Sequence, residues 1–277
     1  MSLFITSLNS GSNGNCYYVG NNNEAVLVDV GISCKEVETR MKRLNLSLTK
    51  IKAIFVSHEH GDHIKGVQTL SKKYSIPVFI TPGTLNNSHL VLENVLTKSF
   101  KSYEKIVIGN LIITPFPKLH DAIDPFSFVV ENEGIKIGVL TDIGSVCEHV
   151  IYNFKQCHAA FLEANYDEHL LEKGSYPYHL KSRIRSDKGH LSNRQALDLF
   201  INHKHELMSH LILSHLSKDN NCPILVKDLF TQHAQNTEVI VASRFQETEI
   251  FHVTGNVLAE KRRTVFTAIQ TSLFLND

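Results

Sequence analysis

The sequence predicts a mixed α/β fold in which short strands alternate with helices. Two observations lead to this prediction. Short apolar runs of the kind that form buried strands recur along the chain, for example at 51–56, 135–140 and 159–162. Between such runs lie segments whose apolar residues fall at helical spacing, as in 34–44 and 193–203. At 277 residues the chain is also long enough to bury a sizeable core.

The individual elements follow from the same patterns and from the turn residues between them. Strands are predicted at residues 3–8, 16–19, 25–30, 51–56, 77–80, 111–116, 126–130, 135–140, 159–162, 211–213, 239–242 and 249–253. Helices are predicted at 34–44, 62–74, 193–203 and 223–233, with further helix starts at Pro82 and near Ser145. Together they form one domain over residues 1–255, followed by a C-terminal appendage, 256–277, that is either a docking helix or a tail.

The composition is ordinary for a globular protein, with 42% hydrophobic and 20% charged residues. Lysine plus arginine and aspartate plus glutamate both number 28, so the chain as a whole favours neither an acidic nor a basic partner. Sixteen histidines are a high count and favour a metal-binding protein.

The N-terminal residues predict neither a signal peptide nor a membrane span. The five cysteines are scattered and contain no C-x-x-C pair. Free thiols in a reducing compartment are the expected state, which predicts a cytoplasmic protein.

The segment 57–63 directly follows the predicted strand 51–56 and concentrates potential metal ligands. In its H-x-H-x-D-H pattern, His58 and His60 lie two residues apart on extended backbone and therefore point the same way. Asp62 and His63 follow where a helix begins, so the pattern offers ligands to two neighbouring metal ions. The alternative is a solvated histidine-rich loop.

Other candidate residues also come directly after predicted strands. His120 follows strand 111–116, where it is either a ligand or a surface histidine. Asp142 follows strand 135–140 and is either a bridging carboxylate or the N-cap of the next helix. Asp29 is either a carboxylate that supports the metal loop or merely a strand-end residue.

Two further stretches are candidates for substrate contacts. The loop 9–15, with Ser12, Asn13 and Asn15, is either a plain hairpin connection or the lining of a substrate pocket. The stretch 173–194 is the one clearly basic part of the chain. It is either a solvated loop or an edge that contacts phosphates, and its candidate substrate-binding residues are Lys181, Arg183 and Arg185.

Taken together, these residues resemble the metallo-β-lactamase superfamily over most of residues 1–255. The residues that carry the resemblance are His58, His60, Asp62, His63, His120, Asp142 and His215. Within the superfamily, the sequences at 10–16, 189–193 and 214–217 are similar to the bacterial YycJ/VicX/WalJ branch. The resemblance implies a four-layer αββα sandwich with two divalent metal ions, Zn²⁺ or Mn²⁺, at one edge.

The resemblance also implies roles for individual residues. His58, His60 and His120 would hold one metal ion. Asp62, His63 and His215 would hold the other, and Asp142 would bridge both.

A proton relay is implied by a further similarity, to the tRNA-processing RNase Z group. Glu163 and His190 match its relay pair, although Leu191 departs from the serine of that motif. The predicted catalytic residues are therefore Asp62, Glu163 and His190.

The function that the resemblance implies is a 5′–3′ DNA exonuclease that uses a metal-bridged hydroxide. No long insertion of the β-CASP kind lies between Asp142 and His215, which argues against an RNase J-like enzyme. The expected partner is nucleic acid, with DNA expected over RNA, and a homodimer is a further expectation. The alternatives are a metal-dependent hydrolase of a thioester, lactone or β-lactam, or a metal protein without hydrolytic activity.

Overall fold

A computed structural model describes residues 2–255 of the chain. The strands are β1 (Ser2–Asn9), β2 (Cys16–Gly20), β3 (Ala25–Val28), β4 (Ile51–Phe55), β5 (Val78–Phe79), β6 (Thr97–Lys98), β7 (Ile106–Ile108), β8 (Leu111–Pro117), β9 (Phe126–Asn132), β10 (Ile135–Leu140), β11 (Ala159–Glu163), β12 (His210–Ser214), β13 (Glu238–Val241) and β14 (Phe251–Thr254). The α-helices are α1 (Cys34–Arg43), α2 (Gly61–Ile64), α3 (Val67–Tyr74), α4 (Pro82–Asn87), α5 (Glu148–Phe154), α6 (Glu168–Lys173), α7 (Tyr178–Arg185), α8 (Asn193–His203) and α9 (Pro223–Thr231).

The strands form two seven-stranded sheets within residues 2–255. The order is β14-β1-β2-β3-β4-β5-β6 in the first sheet and β13-β12-β11-β10-β9-β8-β7 in the second. Strands β3 to β6 pair in parallel, and so do β10 to β13. The carboxyl ends of the parallel strands within each sheet therefore lie at one edge of that sheet, where loops can carry functional side chains.

Alternating side chains divide the interior into three apolar layers. In β3, Val26 and Val28 face the second sheet, whereas Ala25 and Leu27 face the outer layer that contains residues of α1 and α3. In β11, Phe161 points into the space between the sheets, and its neighbours point towards the layer of α5, α8 and α9. The result is the αββα sandwich that the sequence resemblance implied.

Several predicted elements differ from the structure. The helix predicted at 62–74 is divided into α2 and α3 around Gly66, whose backbone N–H bonds to the Val30 carbonyl oxygen at 2.8 Å. The Asp62 carbonyl oxygen, the helical partner of that N–H, instead accepts from the Asn15 N–H at 2.7 Å, and a side chain at Gly66 would collide with the Ile32 carbonyl. The short strands β6 and β7 were not predicted, because they lack a long apolar run.

One interpretation left open by the sequence can be decided. Asp142 is not an N-cap, because the following helix α5 begins at Glu148 and has Cys147 at its cap position. The basic stretch 173–194 contains α7 and the end of α6, and most of it is exposed, so the choice between a solvated surface and a phosphate-contacting edge stays a prediction. The domain limits stay a prediction, and the appendage predicted at 256–277 lies outside the described residues.

Among residues 2–255, no helix is both long and apolar enough to cross a membrane. All five cysteines are free, as the sequence predicted.

Candidate metal centre

Strand ends from both sheets bring the predicted ligands together. His58 and His60 follow β4, and Asp62 and His63 belong to the short helix α2. The remaining members come from the second sheet: His120 after β8, Asp142 after β10, Glu163 at the end of β11, His190 before α8 and His215 after β12. The site thus lies at the edge where the two sheets present their carboxyl ends.

Three of the strand-end residues have backbone conformations that non-glycine residues rarely adopt. The φ angles of Asp29, Asp142 and His215 are 60°, 54° and 56°. Such left-handed conformations cost free energy and are concentrated at functional sites. At these positions the chain turns sharply at the end of the strand and leaves the side chain at the sheet edge.

Two groups of potential ligand atoms form within this cluster. The first comprises His58, His60 and His120, whose ligand atoms all lie within 4.8 Å of one another. The second comprises Asp62, His63 and His215, within the same limit. These are the two sets that the sequence resemblance assigned to separate metal ions, and the assignment stays a prediction.

Asp142 lies between the two groups. Its carboxylate shares a close cluster with His58 of the first group and His63 of the second. Oδ2 lies 3.0 Å from His63 Nε2, and Oδ1 lies 3.8 Å from His120 Nε2. This position is the one required of a bridging carboxylate.

The polar atoms at the centre of the cluster fit a bound cation. His120 Nε2, His215 Nε2 and Asp142 Oδ2 are buried and, apart from ion-pair contacts with other members of the cluster and with Asp121, have no hydrogen-bond partner within the described part of the chain. Buried polar atoms without a partner are costly, and imidazole nitrogens with carboxylate oxygens are the donor set of zinc and manganese sites. The His and Asp clusters therefore suggest that the protein binds divalent metal ions.

Hydrogen bonds donated by the Nδ1 atoms of the histidines orient the rings so that the Nε2 atoms face the centre of the cluster. His63 Nδ1 donates to Asp29 Oδ2 at 2.7 Å, and the same carboxylate accepts from the Ser57 hydroxyl at 2.8 Å. Because the serine proton is committed to Asp29, His58 Nδ1 donates to Ser57 Oγ. His120 Nδ1 donates to the Gly189 carbonyl oxygen at 3.0 Å. Each histidine is left with Nε2 as its ligand atom, and Asp29 is a supporting carboxylate.

Glu163 connects the metal cluster to His190. Its Oε1 accepts hydrogen bonds from His190 Nδ1 at 2.8 Å and from His215 Nδ1 at 3.0 Å. Its Oε2 accepts from the backbone N–H groups of Ile143 and Leu191 at 2.6 and 3.3 Å. One carboxylate therefore orients a predicted ligand and the predicted proton donor together.

The electrostatics of the cluster follow from burial among carboxylates. Burial lowers the pKa of His215, but Asp142, Asp62 and Glu163 outweigh it and raise that pKa to about 10. Burial likewise opposes charge on Glu163, yet its bonds to His190 and His215 lower its pKa to about 2. At neutral pH the metal-free site thus holds ionised carboxylates and a protonated His215. A bound divalent cation would displace the extra proton of His215.

The site opens to solvent on one side. His58, His63, His120, Asp142 and His215 are buried, whereas 24% of the Asp62 side chain and 18% of the His190 side chain are exposed. A substrate can therefore reach the cluster past Asp62 and His190.

The residues predicted to bind substrate in the first loop lie at different depths. Asn15 is fully buried, and its side-chain amide donates to the Asp62 carboxylate at 3.3 Å. It therefore lies behind the ligands, where it positions Asp62 and cannot touch a substrate directly. Ser12 and Asn13 are exposed, and both bond to Arg244, through its guanidinium and its carbonyl oxygen respectively.

The predicted basic residues lie on α7 and are partly engaged. Arg183 forms an ion pair with Asp121 at 2.5 Å, and Asp121 Oδ1 lies 3.2 Å from His120 Nε2. Arg185 pairs with Glu172, and Lys181 donates to the Glu172 carbonyl oxygen at 2.5 Å. The pairing of Arg183 places α7 beside the first ligand group.

Sequence reasoning missed two charged residues of the site. Lys118 is buried and donates to the Thr141 carbonyl oxygen at 2.6 Å, and burial lowers its pKa. Asp121 links α7 to His120. The only sequence signal for either residue was its closeness to the predicted ligand His120 in the chain. Their contacts join segments that are distant in sequence, so the fold was needed to reveal them.

Comparisons with known proteins agree with this geometry. A family model described as a beta-lactamase superfamily domain matches residues 24–215. Exodeoxyribonuclease YycJ of Bacillus anthracis is 33% identical over 249 residues, which cover 89% of this chain and 94% of that protein. Exodeoxyribonuclease WalJ of Streptococcus pneumoniae is 32% identical over 219 residues, 77% of this chain and 81% of that protein.

Among solved structures, the metallo-beta-lactamase fold protein YhfI of Bacillus subtilis has a TM-score of 0.70 at 14% identity, covering 91% of this chain and all of that one. That likeness concerns the fold alone. With the family match and the strand-end ligand cluster, it defines the class: the chain belongs to the metallo-β-lactamase superfamily. Within the superfamily it falls in the YycJ/WalJ branch, as its motifs suggested.

Proposed function

We propose that this protein is a metal-dependent nuclease that removes nucleotides from DNA ends in the 5′–3′ direction. The observation that carries the proposal is the convergence of the His and Asp side chains into two ligand groups joined by Asp142. The names of the YycJ and WalJ relatives, which this chain matches over most of their length, support exonuclease action on DNA.

Two divalent ions, Zn²⁺ or Mn²⁺, are the proposed cofactors. His58, His60 and His120 would hold one ion, and Asp62, His63 and His215 would hold the other, with Asp142 shared. When bound, such ions lower the pKa of water and polarise a phosphoryl oxygen.

The remaining chemistry belongs to His190 and Glu163. Because His190 donates its Nδ1 proton to Glu163, its Nε2 is free to face a substrate. We assign His190 Nε2 as the atom that protonates the leaving oxygen, with Glu163 stabilising the charged ring before transfer. After transfer, the Nδ1–H bond to Glu163 keeps the neutral ring in the same orientation. Asp62, on the open side of the cluster, is the third proposed catalytic residue and also a ligand.

The substrate strand would cross the open side between α7 and the 9–15 loop. Lys181, Arg183 and Arg185 of α7 are proposed to contact the phosphate backbone. Because Arg183 is already paired with Asp121, its contact would bring the strand close to His120. Ser12 and Asn13 are the proposed contacts on the opposite side.

A cytoplasmic location and a homodimer remain proposals. The five free cysteines support a reducing compartment. The homodimer is checked by light scattering of the purified protein.

Digestion of end-labelled nucleic acids tests the function directly. Single- and double-stranded DNA and RNA, labelled at either end, are incubated with the metal-free protein and with added Zn²⁺ or Mn²⁺. The expected result is metal-dependent release of nucleotides from the 5′ end of DNA. Absence of cleavage of every nucleic acid under all metal conditions would overturn the proposal and favour a small substrate.

A further inference from the structure

A cavity of about 250 Å³ lies beside the second ligand group, and we call it the Phe245 cavity. Its walls include Ser10, Leu216, Ser217, Val241, Ala242 and Phe245. Ser10 connects it to the metal cluster, since its hydroxyl accepts a hydrogen bond from the His215 backbone N–H at 2.7 Å. The cavity is slightly smaller than the clefts of about 300–1,000 Å³ that hold whole small ligands, so its size suits one ring system.

Phe245 presents an aromatic ring at the mouth of this cavity. Phe245 is 78% exposed, yet its backbone is fixed. Its N–H donates to the Ser243 hydroxyl at 3.0 Å, and its carbonyl oxygen accepts from the buried Arg40 at 3.4 Å. An exposed ring on an anchored backbone is pre-organised for stacking, because little freedom is lost when a flat partner binds.

Two cations that form no ion pair within residues 2–255 lie next to the ring. Arg244 forms no ion pair with a carboxylate of residues 2–255, and its Nε is buried without a hydrogen-bond partner there. Its guanidinium donates only to Ser12 Oγ, at 3.0 Å, among the hydrogen bonds identified in that range. Lys218 is another exposed cation on the cavity wall and is not ion-paired within that range. Arg183 and Arg185, in contrast, are paired with Asp121 and Glu172.

We propose that the Phe245 cavity is a nucleotide subsite, in which Phe245 stacks on a base of the DNA strand and Arg244 contacts the phosphate beside that base. This rests on the proposed nuclease function and specifies how the strand is held on the His215 side. A flat apolar wall and an adjacent cation that is free of an ion pair are the two features that bind a nucleotide, through its base and its phosphate. Every base has a flat face, so the subsite holds DNA without selecting a sequence.

The test combines variants with substrates that lack one base. Phe245→Ala, Phe245→Trp and the control Tyr152→Ala, an exposed aromatic residue on α5, are compared on end-labelled DNA. Each substrate is prepared with normal nucleotides or with an abasic nucleotide at single positions near the 5′ end. We expect Phe245→Ala to raise KM for normal DNA about 5- to 100-fold with little change in kcat, and Phe245→Trp to restore it.

The abasic substrate identifies the stacked base. For the wild-type protein and Tyr152→Ala, an abasic nucleotide at one position should raise KM by the factor expected for Phe245→Ala on normal DNA. Phe245→Ala should show the same KM for that abasic substrate and for normal DNA. If Phe245→Ala still discriminates, or leaves KM unchanged, the subsite is refuted while the nuclease function stands.

Binding measurements separate the subsite from the nuclease function. DNA with 2-aminopurine near its 5′ end is titrated with each protein in the absence of metal, where stacking on Phe245 should quench the fluorescence. Absence of DNA cleavage by the wild-type protein would refute the nuclease function. Equal quenching by the wild-type protein and Phe245→Ala would refute the subsite, whatever the result for cleavage. Arg244→Ala should reduce the slope of log K against log salt by about 0.7–0.9, the amount for one phosphate contact. The control Lys52→Ala, which changes an exposed lysine near the start of β4, should leave the slope unchanged.

Discussion

Glu163→Gln removes one charge from the centre of the site while preserving the shape of the side chain. The carboxylate accepts from four donors: His190 and His215 on Oε1, and two backbone N–H groups on Oε2. A glutamine has only one acceptor oxygen, so its amide N–H₂ must face one of these pairs of donors. The backbone donors cannot change, whereas the histidine rings can exchange their proton between nitrogens. The amide is therefore expected to face the rings.

The expected loss can be derived from that geometry. With an N–H donor opposite Nδ1, His190 carries its proton on Nε2 in the neutral ring, and the stabilised charged form is lost. Loss of a general acid costs about 10²–10⁴ in kcat, or about 3–5 kcal/mol of transition-state stabilisation. His215 loses the same partner, so metal affinity should fall about 10- to 100-fold.

Cleavage kinetics at saturating metal separate the two effects. At metal concentrations that refill the site, Glu163→Gln should retain a normal KM and a reduced kcat. The matched control is Glu206→Gln, an exposed glutamate without an identified ion pair, which should behave as wild type. A kcat within threefold of wild type at saturating metal would refute the role assigned to Glu163.

Two substitutions test the support of the ligands, and a third prediction concerns proton release on metal binding. Asp29→Asn keeps a residue that tolerates φ of 60° but weakens the bond to His63, so competition with a chelator should show about 10- to 100-fold weaker metal binding. Gly31→Ala would place a methyl group 1.7 Å from the Asp62 carbonyl oxygen, so urea unfolding should show that the free energy of unfolding falls by at least about 1–3 kcal/mol. The control Gly61→Ala, where the added methyl group meets open space, should leave it nearly unchanged. Metal binding at pH 7.5 should release protons, because the pKa of His215 in the metal-free protein is raised to about 10, so affinity should increase with pH through the neutral range. Calorimetry in buffers of different ionisation enthalpy measures this release, and equal heats in all buffers would contradict it.

The ligands were accessible to sequence reasoning because each follows an apolar strand. His58 and His60 belong to a dense local pattern, and Asp142 stands at the end of a clear hairpin. Parallel strands place such residues at a common edge within each sheet, whereas the meeting of the two sheets at one site was implied only by the family resemblance. The layered fold followed from the same alternation of strands and helices together with the family resemblance.

What the sequence could not reveal depends on contacts between distant segments. Arg244 bonds to Ser12 across 232 positions, and no local pattern marks either Arg244 or Phe245 as part of a site. The basic stretch was visible, but the pairing of Arg183 with Asp121 required the position of α7. Asn15 was a candidate for the lining of a substrate pocket, whereas the fold buries it against Asp62.

The central claim is that two metal ions held by these strand-end residues carry out DNA cleavage. The most direct test titrates metal into metal-free wild-type protein and His60→Ala while bound metal and 5′-end cleavage of DNA are measured together. The account predicts that cleavage by the wild-type protein reaches its maximum at about two bound ions per chain. It also predicts that His60→Ala remains folded, binds less metal and does not cleave. Full cleavage by metal-free protein, or by folded His60→Ala with its metal removed, would contradict it.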